Sequence, residues 1–598
     1  MKWRFGIIFF FLFIASLASA QQVATPTFSP DGGTFVESRS FRIQCSTAGA
    51  VVHYTSDGTE PTEASPVAYP SWQGWVQTSL ILKAKAFKPG MLPSQTKTAT
   101  FTIVTQTPTF RPDGGLYAEL QKVYIDKSWR SAVYYTVNGE DPTPDSPSFP
   151  PYSYALIDID HTCTLKAIAY RPGCEPSAMG TAVFSFREPI TRYVTTYGSD
   201  SHNGLSWGSA KQTIQAAVNG CIAGDTVWVA KGTYGKSIVL GYGVKLFGGF
   251  AGTESSVAER DLKANRTTLQ GDNPNYVIQG PTSYYFSPVL VDGFSIESQG
   301  TQYGIQCSTS AIISNNRIID ISASHLGCGI TVGGGRYSSS VTNNLIMGKR
   351  TGIGFGGAEG MIANNTIVAN SGTAVNVDHS RATLFNNIIA FNERGIDQWL
   401  DCDLTMRHNC VFGNSQYDYG GYGSPVHPTD IDVDPLFRDT ANGDYRLRFD
   451  SPCIDAGANE GAPLTDIEGR VRPMDGNHDG IAIADIGAYE SPMPVAVDIL
   501  ADSIRLQPNK LIQVVILSDQ IFSALQVDPS SVTFGPGNAT EIHARAHRED
   551  VDKDGLTDLL FHFSCAESGI VPGYQTVFLQ GKLKTGEDFT GWDNVTAR

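Results

Sequence analysis

The chain has 598 residues, 41% hydrophobic and 17% charged, which excludes a disordered polymer and is too long for one core. A net charge of −16 excludes nucleic acid or an anionic membrane surface as the main partner; neutral glycans, polycations or bound Ca2+ suit it better. With Gly 61, Pro 32 and no long stretch of helical period, the composition predicts an all-β protein of short strands and turns.

Lys2 and Arg4 precede an apolar run from Phe5 to Leu17, and Ala18-Ser19-Ala20 supplies a small-residue cleavage site. Residues 1–20 therefore read as a secretory signal, and the protein is expected to be secreted, extracellular or held at the cell surface. The run is too short to span a bilayer, and no second span follows. Without Lys2 and Arg4, 41 basic residues face 59 acidic ones, a net charge of −18. None of the ten cysteines lies in a Cys-x-x-Cys pair, which argues against a thiolate zinc site. The close pairs Cys163/Cys174 and Cys402/Cys410 are either disulfides or buried thiols.

Residues 21–188 hold a duplication. Thr25-Pro-Thr-Phe-Ser-Pro-Asp-Gly-Gly33 recurs at Thr107–Gly115, Tyr54–Thr62 at Tyr135–Thr143, and Leu82–Gly90 at Leu165–Gly173, at shifts of 82, 81 and 83. Two copies, 21–104 and 105–188, are each the size of an immunoglobulin-like β-sandwich. These blocks resemble the small sandwich at the C-terminus of chitobiases and hexosaminidases, which implies an accessory to carbohydrate-active proteins or a spacer. Trp72, Trp75 and Trp129 are candidate platforms for a sugar ring. The stretch of copy two that corresponds to Trp72 and Trp75, near Ser153 and Tyr154, holds no Trp, so the spacer reading is preferred.

From residue 189 the pattern changes. Thr213-Ile-Gln-Ala-Ala-Val218 predicts one short helix capping the open end of a parallel stack. Gly224-Asp-Thr-Val-Trp-Val-Ala-Lys-Gly-Thr-Tyr234 and Val244–Phe250 follow it, and this segment resembles the entry to pectin-lyase-like proteins. Asn315-Asn316, Asn343-Asn344, Asn364-Asn365, Asn386-Asn387 and His408-Asn409 then precede apolar runs, with the second Asn at spacings of 28, 21, 22 and 22. That is one turn of a right-handed parallel β-helix per repeat, over 189–491 with its capping segment. The Asn pairs are read as architecture, left-handed at the turn and hydrogen-bonded between coils, and the longest coil is expected to carry an insertion near Ser322–Gly327.

Counting from the second Asn aligns Ile353, Ala374 and Ile396 as core. It also gathers Asp378, His379 and Arg381 with Asp401 and Asp403 on the next coil and Glu359 on the one before. Such a row could serve as acid, base and cation site for a polysaccharide lyase or glycosidase, or be a solvated row of turns. Polygalacturonase-type Asn-Thr-Asp and Gly-His-Gly motifs are absent.

Asp430–Phe437, Asp444–Leu447, Ser451–Gly457 and Asp485–Glu490 resemble the closing segment of exported bacterial β-helix proteins, which implies that it wraps the end of the stack. Inside it, Asp475, Asn477 and Asp479 with Gly480, and Asp485 beyond, form half of a calcium-loop pattern. Residues 492–598 predict a small C-terminal β domain, resembling a module common in exported bacterial proteins. Its Asp550, Asp552, Asp554 and Asp558 around Gly555 predict a structural Ca2+ site. Together these features predict a monomeric β-helix protein with a largely structural, interacting role toward an extracellular polysaccharide or cell-surface glycan. A secreted lyase or glycosidase and an adhesin are the alternatives.

Overall fold

The computed structural model describes residues 21–598 apart from 70–71, 283–286, 299, 301–302, 323–326, 335–337, 423–425, 502 and 544. The signal read in residues 1–20 and the middle of the Ser322–Gly327 insertion lie outside the described residues. Two compact units divide the chain, the first essentially 21–186 and the second essentially 187–598.

The first unit is two β-sandwiches. In copy one a three-stranded sheet (Thr27–Ser29, Arg39–Gln44, Gly74–Val76) faces a five-stranded sheet built around Leu80–Phe87 and Lys97–Val104. Copy two repeats the arrangement around Gln121–Asp126 and Cys163–Tyr170. Strict alternation in Leu80–Phe87 sends Leu82, Ala84 and Ala86 inward, where they meet Phe41 and Phe101. Glu37 of copy one holds Arg171 of copy two at 3.2 Å.

The second unit is dominated by three parallel sheets of nine, eight and eight strands. The first begins at Thr191–Val194 and ends at Asp403–Arg407, the second runs from Gly232–Tyr234 to Cys410–Phe412, and the third from Ile238–Val239 to Tyr417–Gly421. Each coil visits the three in turn. The one α-helix described here, Ile214–Val218, is N-capped by Thr213 and puts Ile214, Ala217 and Val218 into the bore cluster at its N-terminal end.

The second Asn of each pair forms a continuous buried ladder. The Nδ2 of Asn365 donates to Val341 O at 2.8 Å, Ala363 O at 3.1 Å and the Oδ1 of Asn387 at 3.0 Å. Its own Oδ1 accepts from the backbone N and the Nδ2 of Asn344 at 2.9 and 3.0 Å. Asn316, Asn344, Asn387 and Asn409 repeat the pattern, and Asp430 receives the last rung. The first residue of each pair is left-handed, with φ of 58, 55, 52, 54 and 52° at Asn315, Asn343, Asn364, Asn386 and His408. A second ladder runs through Asn370, Asn392 and Asn414, five residues beyond the first. Lys349 holds its leading rung: its backbone N donates to the Oδ1 of Asn370, and its buried ammonium sits 3.2 Å from buried Asp320.

One expectation changes here and an open alternative is decided. The bore rung is Ile353, Val375 and Ile396, with Val375 rather than Ala374 in line, because Asn370-Ser371-Gly372 gives this coil one extra residue before the strand. All ten cysteines are free thiols. Cys402 packs toward the bore while Cys410 lies buried in a separate cluster beneath the closing segment, so these two face different compartments.

That closing segment runs back along the flank of the stack. Leu345, Val368, Ile388, Ala390 and Cys410 point outward from the second sheet and are covered by Phe437, Tyr445, Leu447, Cys453, Ile467, Ile486 and Tyr489. The first Asn of three of the pairs anchors it: Asn343 Nδ2 donates to Thr465 O, Asn364 Nδ2 to Asp485 O, and Asn386 Nδ2 to Ala458 O. Residues 492–598 form two facing sheets with their own core around Val514, Phe534, Phe561, Phe563 and Leu579.

Replacing Asn365 with Leu keeps the branched shape of the side chain but orphans buried groups on both neighbouring coils. A loss of about 3 kcal/mol or more is expected in urea unfolding followed by circular dichroism, against under about 0.5 kcal/mol for Asp403→Ala on the surface.

Candidate functional site

The row predicted on the coils exists as one corner of the helix. His379 and Asp401 occupy equivalent left-handed corners, φ 46 and 54°, after Gly357 at φ 64° on the coil before. That conformation favours Gly, Asn, Asp and His, which accounts for part of the composition. Glu359, Arg381 and Asp403 are aligned partners on adjacent strands of the first sheet. Arg381 bridges them, 3.2 Å from Asp403 and 4.0 Å from Glu359, and the Nδ1 of His379 lies 2.8 Å from Asp378. All of these side chains are largely exposed, and Glu359 and Asp403 share the single guanidinium of Arg381. Exposed pairs of this kind contribute little to stability and are free to exchange partners with a polar ligand.

A different feature stands out on the second sandwich. Trp129, Tyr152 and Tyr154 are 50, 63 and 52% exposed and form one aromatic cluster, with ring centres 6.2 and 5.6 Å from Trp129. The cluster is held from beneath by the backbone. Tyr152 is left-handed, φ 63°, and its N donates to Trp129 O at 2.7 Å. In copy one, Trp72 instead packs against Phe41 and Tyr54 at the edge of the core, and Trp75 alone is exposed. Trp129 is legible in the sequence as a platform, but its partners here are tyrosines, Tyr152 and Tyr154, so the signal in copy two is aromatic content rather than Trp content. In the second unit a cavity of about 510 Å3 is lined by Arg438, Asp444, Arg448, Phe449, Phe578 and Trp592. Phe449 stacks on Trp592 at 4.3 Å, a pairing of residues far apart in sequence that no motif announces.

The acidic loops fare differently. Carboxylates of Asp550, Asp552 and Asp558 converge within 4.8 Å around a turn that passes through Lys553 at φ 67° and Gly555 at φ 90°. Asp554 is not one of that group; its carboxylate accepts from Leu556 N at 2.7 Å. Asp558 is buried and also accepts from Val551 N and Ser518 N, so it fastens the loop to the domain. In the other loop Asp475 accepts from the N of Asp479 and Gly480, and Asn477 from Asp479 N. Asp485 is not gathered with them. It is fully buried, accepts from Asp455 N and Ser491 N, and belongs to the network anchoring the closing segment. Burial and the neighbouring Glu490 push its carboxyl well above the ordinary range. Asp455 takes its place beneath the loop, accepting from Gly476 N at 3.3 Å and Asn477 N at 2.8 Å.

A bore of stacked coils, a flank sealed by its own closing segment and two N-terminal sandwiches define a class: the chain is a parallel β-helix protein with two immunoglobulin-like repeats. Residues 30–98 and 112–181 match the chitobiase/β-hexosaminidase C-terminal domain, and residues 218–420 match the family described as periplasmic copper-binding protein (NosD). No curated protein matches the chain. Among solved structures, pectate lyase Pel9A is similar over 51% of this chain and 97% of its own, at 12% identity and a TM-score of 0.23. A family 28 exopolygalacturonase of Yersinia enterocolitica is similar over 54% and 76%, at 12% identity and a TM-score of 0.21. Fibronectin(III)-like modules of Clostridium thermocellum CbhA are similar over 27% and 94%, at 15% identity and 0.11. At these TM-scores the neighbours carry no weight in assigning a function. No helix among the described residues is long and apolar enough to cross a membrane.

Burial raises the carboxyl of Asp455 to about 6 against the hydrogen bonds from Gly476 and Asn477, with Asp475 and Glu490 pushing the same way. An acid raised above its unfolded value near 3.9 costs nothing at low pH and destabilises increasingly as pH rises toward 6. Asp455→Asn is therefore expected to be near neutral at pH 4 and stabilising at pH 7, by at most about 3 kcal/mol, in chelator-treated protein unfolded by urea at both pH values.

Proposed function

We propose that this is an exported β-helix protein with a mainly structural and binding role toward a polysaccharide or cell-surface glycan. The observation that carries it is the Trp129, Tyr152 and Tyr154 cluster, three large exposed rings on one rigid patch. The C–H face of a pyranose packs on such rings, and the acidic chain disfavours polyanions as the main ligand. A domain type named for chitobiases and hexosaminidases carries the patch, and the periplasmic description of the family matching 218–420 supports export. The exposed Asp378, His379, Arg381, Asp401 and Asp403 row provides polar contacts along the coils for an extended chain.

A glycan array with the full chain is expected to retain a subset of neutral glycans, and Trp129→Ala with Tyr154→Ala to weaken retention about 10-fold or more. Array binding unaffected by the double substitution removes the cluster from the site. Cleavage of any retained glycan, lost in Asp378→Ala or Asp401→Ala, replaces the binding role with a catalytic one. Binding to cells but to no glycan makes the protein an adhesin for another ligand.

Ca2+ is the cation proposed for Asp550, Asp552 and Asp558, supported by their convergence and by the hard oxygen donors. Added Ca2+ is expected to raise the melting temperature of the C-terminal domain in the full chain, and Asp552→Ala to abolish the rise. A melting curve indifferent to Ca2+ and chelator rules the site out.

A further inference from the structure

The C-terminal domain holds a second cluster of donor atoms, of different chemistry. One ring nitrogen each from His543, His547 and His562 lies within 4.8 Å of the others. The rings sit with centres 5.6, 5.2 and 5.3 Å apart and planes near perpendicular, at 84, 80 and 85°. Perpendicular rings do not stack, so the nearness of their nitrogens is not a by-product of ring stacking.

The fold builds this arrangement from three directions. In the strand Asp558–Ser564, Leu559, Phe561 and Phe563 point into the domain core, which turns His562 to the opposite face. His547 pairs with Leu560 on the antiparallel neighbour His547–Glu549 and so shares that face, diagonal to His562. His543 enters from the preceding turn, which buried Glu541 holds by accepting from the N of His543, Arg545 and His562.

We propose that His543, His547 and His562 form a site for a late first-row divalent transition metal such as Zn2+. Three imidazoles are the donor set that such ions prefer over Ca2+ or Mg2+, and the open position is left for water. A tetrahedral ion needs nitrogens about 3.3 Å apart, a closure from 4.8 Å that side-chain rotation supplies at exposed His543.

Further observations point the same way. The Nδ1 of His562 is buried with no hydrogen-bond partner. The Nδ1 of His543 lies 3.1 Å from the Oε1 of Glu541, which orients the ring with its Nε2 outward, the carboxylate–histidine pairing typical of metal sites. The cluster lies outside residues 218–420 and shares no residue with the acidic loop.

The test is calorimetric titration of the full, chelator-stripped chain with ZnCl2, with Ca2+ present throughout to occupy carboxylate sites. One equivalent is expected to bind at micromolar Kd or tighter, and Co2+ in its place to give the visible bands of a tetrahedral nitrogen site. His543→Ala with His547→Ala, both near the surface, is expected to weaken binding at least 100-fold with an unchanged circular dichroism spectrum. Glu541→Gln, a positioning change, is expected to weaken it 10–100-fold. No binding by the parent chain, or equal binding by the double variant, overturns the assignment.

Discussion

The rest of the second unit depends on the buried amide ladder. Each Asn at 316, 344, 365, 387 and 409 satisfies backbone groups of its own coil and of a neighbour, so every coil is locked in register at that corner. An amide placed there cannot move by one residue without orphaning buried donors on two coils. Variation in coil length is therefore pushed outward. The coil after Asn316 is longer by several residues than the next and yet returns to the same register at Asn344. The second ladder at Asn370, Asn392 and Asn414 does the same at the following corner.

A stack pinned at two corners leaves its outer faces to be used or covered. The second sheet is covered. Its outward apolar residues are sealed by 437–489, and the seal is tied down by Arg472, fully buried, which donates to Glu490 at 2.6 Å and to Asn343 at 2.7 Å. Asp466, Asp485 and Glu490 lie in the same interior, and burial raises the carboxyl of each. Such a network stabilises only when complete, which ties closure of the flank to the whole segment rather than to any one contact.

Much of this was legible in the chain. The duplication, the coil repeat, the short capping helix and the left-handed Asn positions all follow from local spacing, since each coil repeats the same environment. The offset of five between the two ladders was equally available, as Asn370, Asn392 and Asn414 stand in the sequence at constant distance from the pairs. The role of Asp485 was not, because a carboxylate six residues past a calcium-like loop reads as a ligand until its burial beneath the closing segment is seen. The cysteines were undecidable for the same reason: nearness in sequence across a corner says nothing about which side of the wall each thiol faces.

From sequence alone come the periodic features, because periodicity is a one-dimensional property: coil length, strand alternation, repeated sandwiches and the residue types required at left-handed corners. Tertiary structure decided everything that joins distant segments. It brought Trp129 to Tyr152 and Tyr154, Phe449 to Trp592, and His562 to His547, 15 residues apart across an acidic loop. Antiparallel pairing sets the meeting of His547 with His562, and in none of these cases do the sequence positions of the partners encode the contact.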